Sequence, residues 1–97
     1  MKALAEIQVI PIGVGVSVRK EVKRAHEVIL ASGLKANLHA EGTNVEGDLQ
    51  TILSTVEQIH ETLHTEGTQR LSTMIKIGTR TDKETSLEDK LFESESS

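Results

Sequence analysis

His60-Glu61-Thr62-Leu63-His64 matches the pattern in which two imidazoles one helical turn apart ligate zinc and the glutamate between them acts as general base. The surroundings do not support that chemistry. His60 falls at the edge of an apolar helical stripe, His64 falls towards solvent near the helix end, and no third ligand follows downstream. A chain of 97 residues also leaves little room for a protease cleft. The pair reads as surface histidines with at most adventitious metal affinity, and no metal site is assigned. Gly13-Val14-Gly15-Val16-Ser17 lies between a strand and a helix, where backbone N–H groups can receive an anion. It lacks the third glycine of a dinucleotide fingerprint and the lysine of a phosphate loop, so a turn capped by Ser17 is the simpler reading. No Ser–His–Asp arrangement can be assembled, and Glu93 and Glu95 serve to solvate a tail. The expectation is a protein that is not an enzyme and carries no cofactor.

Composition narrows the classes further. A chain of this length forms one domain, expected over residues 1–92 with an acidic tail at 93–97, and buries only about 60–65 % of its unfolded surface. Hydrophobic residues make up 36 %, with one Phe and neither Trp nor Tyr, so the core must come from Val, Ile, Leu and Ala. Bases would find almost nothing to stack on, and a formal charge of −4 repels phosphate. Nucleic acid is therefore not an expected partner. The absence of cysteine removes disulfides, thiolate metal sites and a cysteine nucleophile. No window approaches the ~20 apolar residues that span a bilayer, and the first residues do not read as a secretory signal. A cytoplasmic location with no membrane partner is expected.

These residues must be positioned by a small set of elements. Residues 3–12 alternate as a strand that Pro11 closes. A helix from Val18 to about Ser32 follows, with Gly33 at its end. Residues 34–40 form a second strand, Glu41-Gly42 a tight turn, and Thr43 to Glu46 a short returning strand. Asp48 caps a helix from Leu49 to about Thr65, whose Leu49, Ile52, Leu53, Val56, Ile59 and Leu63 repeat at helical spacing. Residues 70–79 give a last strand, and Ser86 to Phe92 a final helical turn. Strand, helix, strand, strand, helix, strand, joined by right-handed crossovers, gives an α+β fold. It is a ferredoxin-like βαββαβ sandwich, a four-stranded antiparallel sheet with two helices on one face.

The two helices leave the other sheet face uncovered. Ala3, Ala5, Ile7, Val9, Ala36, Leu38, Ala40, Leu71, Thr73, Ile75 and Ile77 are expected under the helices. The open face carries Leu4, Glu6, Gln8, Ile10, Asn37, His39, Ser72, Met74 and Lys76, with Asn44 and Glu46 from the short strand. Leu4, Ile10 and Met74 form an apolar strip among groups able to pair. Such a face suits sheet-to-sheet packing in a homo-oligomer, or a polar ligand held over the sheet.

Three segments resemble the small thiamine-binding-protein family: Val9-Ile10-Pro11-Ile12-Gly13 before Ser17; Gly42-Thr43-Asn44-Val45-Glu46-Gly47-Asp48 before the second helix; and Thr73-Met74-Ile75-Lys76-Ile77 with Arg80-Thr81-Asp82-Lys83. The similarity runs from about residue 3 to residue 92. It implies a ferredoxin-like fold, tetramers built as dimers of sheet-packed dimers, and non-catalytic binding of thiamine or a hydroxymethylpyrimidine-like molecule in storage, delivery or sensing. An aminopyrimidine offers an amino donor and ring-nitrogen acceptors that Glu46, Asn44, Gln8 and Ser17 can complement. Met74 would supply an apolar wall. Gln8, Ser17, Thr43, Asn44, Glu46, Met74 and Lys76 are the candidate ligand-binding residues, Glu46 and Lys76 being equally suited to ion pairs. The alternative from another class is an oligomeric regulatory or scaffold module that binds a protein partner or an anion.

Overall fold

The computed structural model describes residues 1–83. The expected turn from Ser86 to Phe92 and the tail from Glu93 lie outside them. Strand β1 (Lys2–Ile12) leads to helix α1 (Arg19–Ala31), a hairpin of β2 (Lys35–His39) and β3 (Gly42–Asp48), helix α2 (Leu49–Thr65) and β4 (Arg70–Gly78). The sheet has the order β2-β3-β1-β4, and each neighbouring pair is antiparallel. This is the expected ferredoxin-like sandwich. Ala5 stands opposite Val45 on one side and Ile77 on the other, and Ile7 stands opposite Thr43 and Ile75. One residue parity of β1 therefore faces the helices along its whole length.

The core forms where that parity meets the helical stripes. Ala3, Ala5, Ile7 and Val45 of the sheet pack with Ala25 and Ile29 of α1, and with Ile52, Ile59 and Leu63 of α2. Two alanines on β1 leave room for the helices to approach, and burial of each large aliphatic side chain stabilises the fold by about 1.5–3 kcal/mol. α2 begins where expected. The Asp48 side chain accepts from the Gln50 N–H at 3.1 Å and from the Met1 ammonium at 3.0 Å. That ammonium, first by its hydrogen bond, holds the Asp48 carboxyl below its ordinary 3.8. The Leu49 N–H donates to the Met1 carbonyl at 2.8 Å, so helix start and strand start are tied together. Among the described residues no helix is long and apolar enough to cross a membrane.

Several local expectations are corrected. Val18, not Ser17, occupies the N-cap of α1, and no side chain caps that helix; Ser17 stays exposed one residue outside it. The hairpin turns at Ala40-Glu41, one residue earlier than expected, because Gly42 already pairs with His39. Ala40 therefore belongs to the turn and not to the covered face. Leu4 does not lie open: it is 5 % exposed on the central strand, flanked on its own face by the ion pair of Lys2 and Glu46 at 3.6 Å. Leu38, Ile75 and Ile77 do sit on the helix side yet remain 53 %, 36 % and 39 % exposed. The cause is placement. α1 packs over β1 and β2 and α2 over β1 and β3, so neither helix is centred on β4, and sheet twist carries the strand ends out from beneath them.

Candidate ligand-binding site

Three polar side chains are buried in the described residues: Thr43, Thr55 and Thr68. Buried hydroxyls are ordinarily partnered. Thr55 is, since its hydroxyl donates to the Thr51 carbonyl one turn back at 2.7 Å. The Thr43 and Thr68 hydroxyls have no hydrogen-bond partner among the described residues; their oxygens keep some accessible surface, and each residue lines a cavity.

Thr43 is 5 % exposed and opens into a cavity of about 250 Å³ at the end of the sheet. β1 supplies one wall through Ile7 to Pro11, α1 a second through Val22 and Ile29, and the β2–β3 hairpin a third through Leu38 to Gly42. Local sequence explains how these parts meet. Pro11 occurs near the end of β1, and the loop beyond it brings α1 back over the sheet. Gly42 is required where the hairpin presses on β1: a Cβ there would lie 2.6 Å from the Ile7 carbonyl oxygen. The result is an aliphatic slot with few polar groups, smaller than the ~300–1,000 Å³ common for drug-sized ligands. It suits one flat, weakly polar ring with a hydrogen-bonding edge, to which Thr43 can both donate and accept.

The rim of the slot is ordered by His39. Its Nδ1 accepts from the Glu41 N–H across the turn at 3.2 Å. The neutral ring then carries its proton on Nε2, which donates to Asn44 Oδ1 at 3.2 Å and lies 3.4 Å from Glu6 Oε2. The hairpin, the open sheet face and the cavity mouth thus share one polar network.

The residues chosen from sequence divide between two places. Gln8, Asn44, Glu46, Met74 and Lys76 lie on the open face, with Gln8 directly opposite Met74 and Lys76 opposite Glu6. Thr43 lies on the other side of the sheet, in the slot, and Gln8 is the one member of the open-face group that also reaches the slot's lining. Ser17 is exposed in the loop before α1 and does not line it. Glu46 is taken up with Lys2. Sequence reasoning left out His39, although its position directly before the turn marked it as the strand residue best placed to bridge hairpin and face. The aliphatic wall from α1 carried no signal beyond ordinary core periodicity.

Other candidates fit less well. A larger groove of about 600 Å³ runs between α1 and α2, but its charged ends are engaged: Arg24 holds Glu66 at 2.9 Å, and Asp48 holds the Met1 ammonium. The His60 and His64 rings are 6.0 Å apart, and each is committed to a protein partner. His60 Nε2 is 2.7 Å from Thr73 Oγ1, and His64 Nδ1 is 2.7 Å from the Thr68 carbonyl, to which it donates. Among the described residues, no group of three potential ligands gathers around a metal position.

Comparison with known proteins extends this picture. The family model described as thiamine-binding protein matches residues 5–95. UPF0045 protein MJ1052 of Methanocaldococcus jannaschii is 42 % identical over 90 residues, covering 93 % of this chain and 89 % of its own. A crystal structure of that hypothetical protein superposes with a TM-score of 0.88 at 40 % identity, over 97 % of this chain and 96 % of the other. UPF0045 protein sll0230 of Synechocystis sp. is 37 % identical over 91 residues, 94 % of this chain and 75 % of its own.

Proposed function

Because this chain belongs to the thiamine-binding protein family, we propose that it binds thiamine or a related hydroxymethylpyrimidine, without transforming it, in the slot beneath Thr43. The Thr43 hydroxyl, unpartnered among the described residues on a residue that lines the slot, carries the reading. An aminopyrimidine is planar, has apolar faces for the aliphatic walls, and brings donors and acceptors on its edge for Thr43. The slot holds the pyrimidine ring, and a thiazolium attached to it would extend towards the mouth, where Glu41 offsets its positive charge.

Isothermal calorimetry and thermal melting with hydroxymethylpyrimidine and thiamine test this. Saturable heat and a raised melting temperature are expected, and no heat and no shift at millimolar ligand would overturn it. Thr43→Val keeps the shape and the β-branch but removes the hydroxyl. It is expected to weaken binding about three- to tenfold, the contribution of one neutral hydrogen bond, with the apo melting temperature nearly unchanged.

The open sheet face supports a homo-oligomer, read here as a tetramer built from sheet-packed dimers. Met74 is 63 % and Ile10 36 % exposed on a face that also offers Glu6 and Lys76 for pairing. Sedimentation velocity should show a species well above the 10.6 kDa of one chain, dissociating in Met74→Glu; a monomer at micromolar concentration would sink this part.

A further inference from the structure

The helix side of β4 carries apolar surface that no described residue covers. Ile75 and Ile77 stand opposite Ile7 and Ala5 of the core, yet they remain 36 % and 39 % exposed. β4 is an edge strand paired with β1 alone, so its outer flank has no neighbour in the sheet.

α2 supplies a third apolar residue to the same surface. The start of α2 and the end of β4 both lie beside the first residues of β1, so helix and strand run in opposite directions. His60 Nε2 and Thr73 Oγ1 meet at 2.7 Å and fix their mutual position. Leu53 lies on the same side of α2 as His60, two turns and about 10 Å nearer the helix start. Ile75 and Ile77 follow Thr73 on one parity, about 7 and 13 Å further along the strand. Leu53, itself 43 % exposed, therefore stands beside them. The strip these three form ends at the His60–Thr73 contact on one side. On the other it runs to the point where the chain leaves the sheet past Gly78.

That exit identifies what covers the strip. Glu84 to Ser97 follow Lys83 there, and their only apolar residues are Leu87, Leu91 and Phe92. Ser86 with Asp89 matches a helix-start pattern, after which Leu87 and Leu91 recur one turn apart with Phe92 beside them. At helical rise Leu87 to Phe92 spans about 7 Å, close to the length of strand between Ile75 and Ile77. The connection from Thr79 to Thr85 is long enough to turn the chain back along the strand it has just left.

We propose that this segment docks on its own chain, with Leu87, Leu91 and Phe92 covering Leu53, Ile75 and Ile77. It shields the apolar flank of an edge strand from other chains. The strip lies on the opposite side of the sheet from Gln8, Met74 and Lys76, so its occupation leaves the open face available for sheet packing.

The chain has neither Trp nor Tyr, so Phe92→Trp gives the full-length protein a single tryptophan emission. That emission is expected to be blue-shifted in buffer and to move to the red in urea. Ile77→Asp and, separately, Leu53→Glu in this background are expected to abolish the blue shift, with circular dichroism establishing that each variant is folded. Leu91→Asp in the parent is expected to lower the melting temperature by about 4–8 °C. Met74→Glu, added to the tryptophan variant to separate subunits, should leave the blue shift in place. The inference is overturned if the tryptophan emits in buffer as it does in urea, or if neither folded strip variant changes its emission. It is equally overturned if the blue shift disappears in the Met74→Glu monomer, which would assign the strip to the segment of a second copy.

Discussion

Gly42→Val is expected to abolish pyrimidine binding and to destabilise the fold together. A Cβ at this position would lie 2.6 Å from the Ile7 carbonyl oxygen and 3.4 Å from the Gln8 Cα, both backbone atoms of the central strand. Backbone cannot rotate away as a side-chain tip can, so the hairpin must lift from β1. Overpacking of this kind costs about 1–3 kcal/mol, and the upper end applies where the obstacle is backbone. In a domain of this size each kcal/mol corresponds to about 4–8 °C, so a fall of about 10–20 °C in melting temperature is expected. Binding is lost because Leu38 to Gly42 form one wall of the slot and Thr43 moves with them. Thermal melting and calorimetry on the same sample read both effects. Gly78→Ala is the control, since a Cβ there meets nothing within 4 Å. If Gly42→Val melts and binds like the parent, the close approach of hairpin and β1 does not exist in solution.

Ile59→Ala tests the core in isolation from the site. Ile59 is fully buried on α2, within the cluster beneath both helices, and does not line the slot. Removing its methyl and methylene groups should lower the unfolding free energy by about 2–5 kcal/mol. A small single domain holds only about 5–15 kcal/mol in total, so this one change consumes a large part of it. Urea unfolding measures the loss. The same variant offers an internal check on ligand linkage, because hydroxymethylpyrimidine at about 100 times its dissociation constant should restore about 2.7 kcal/mol. A loss below about 1 kcal/mol would mean that the helix layer is looser than the packing indicates.

The two variants also separate what could be read along the chain from what could not. α2 was legible from end to end. Its apolar residues recur at helical spacing, Asp48 sits where a cap belongs, and Gly67 closes it, all signals internal to a few turns. The parity of β1, β3 and β4 was legible for the same reason, as a two-residue repeat decides which side chains share a face. The cap of α1 was not, because Ser17 and Val18 compete for one position and the path of the loop decides between them.

The candidate site was legible only in part, and the dividing line is again distance along the chain. Thr43 stood out within its hairpin motif, but that it faces a cavity depends on α1 lying over the sheet end with Val22 and Ile29 opposite. Glu21 and Thr68 line one small cavity from elements far apart in sequence, and neither carries a local signature. The sheet had the reverse history: the composition of its two faces was evident, while the burial of Leu4 on the open face and the exposure of Ile75 and Ile77 on the helix side were not. The amino-acid sequence by itself determined the elements, their faces and their order, since periodicity and caps act over a few residues. Only the tertiary structure decided where hydroxyls and charges are left unmatched. Whether a buried polar group finds a partner depends on the groups that packing brings against it from elsewhere in the chain.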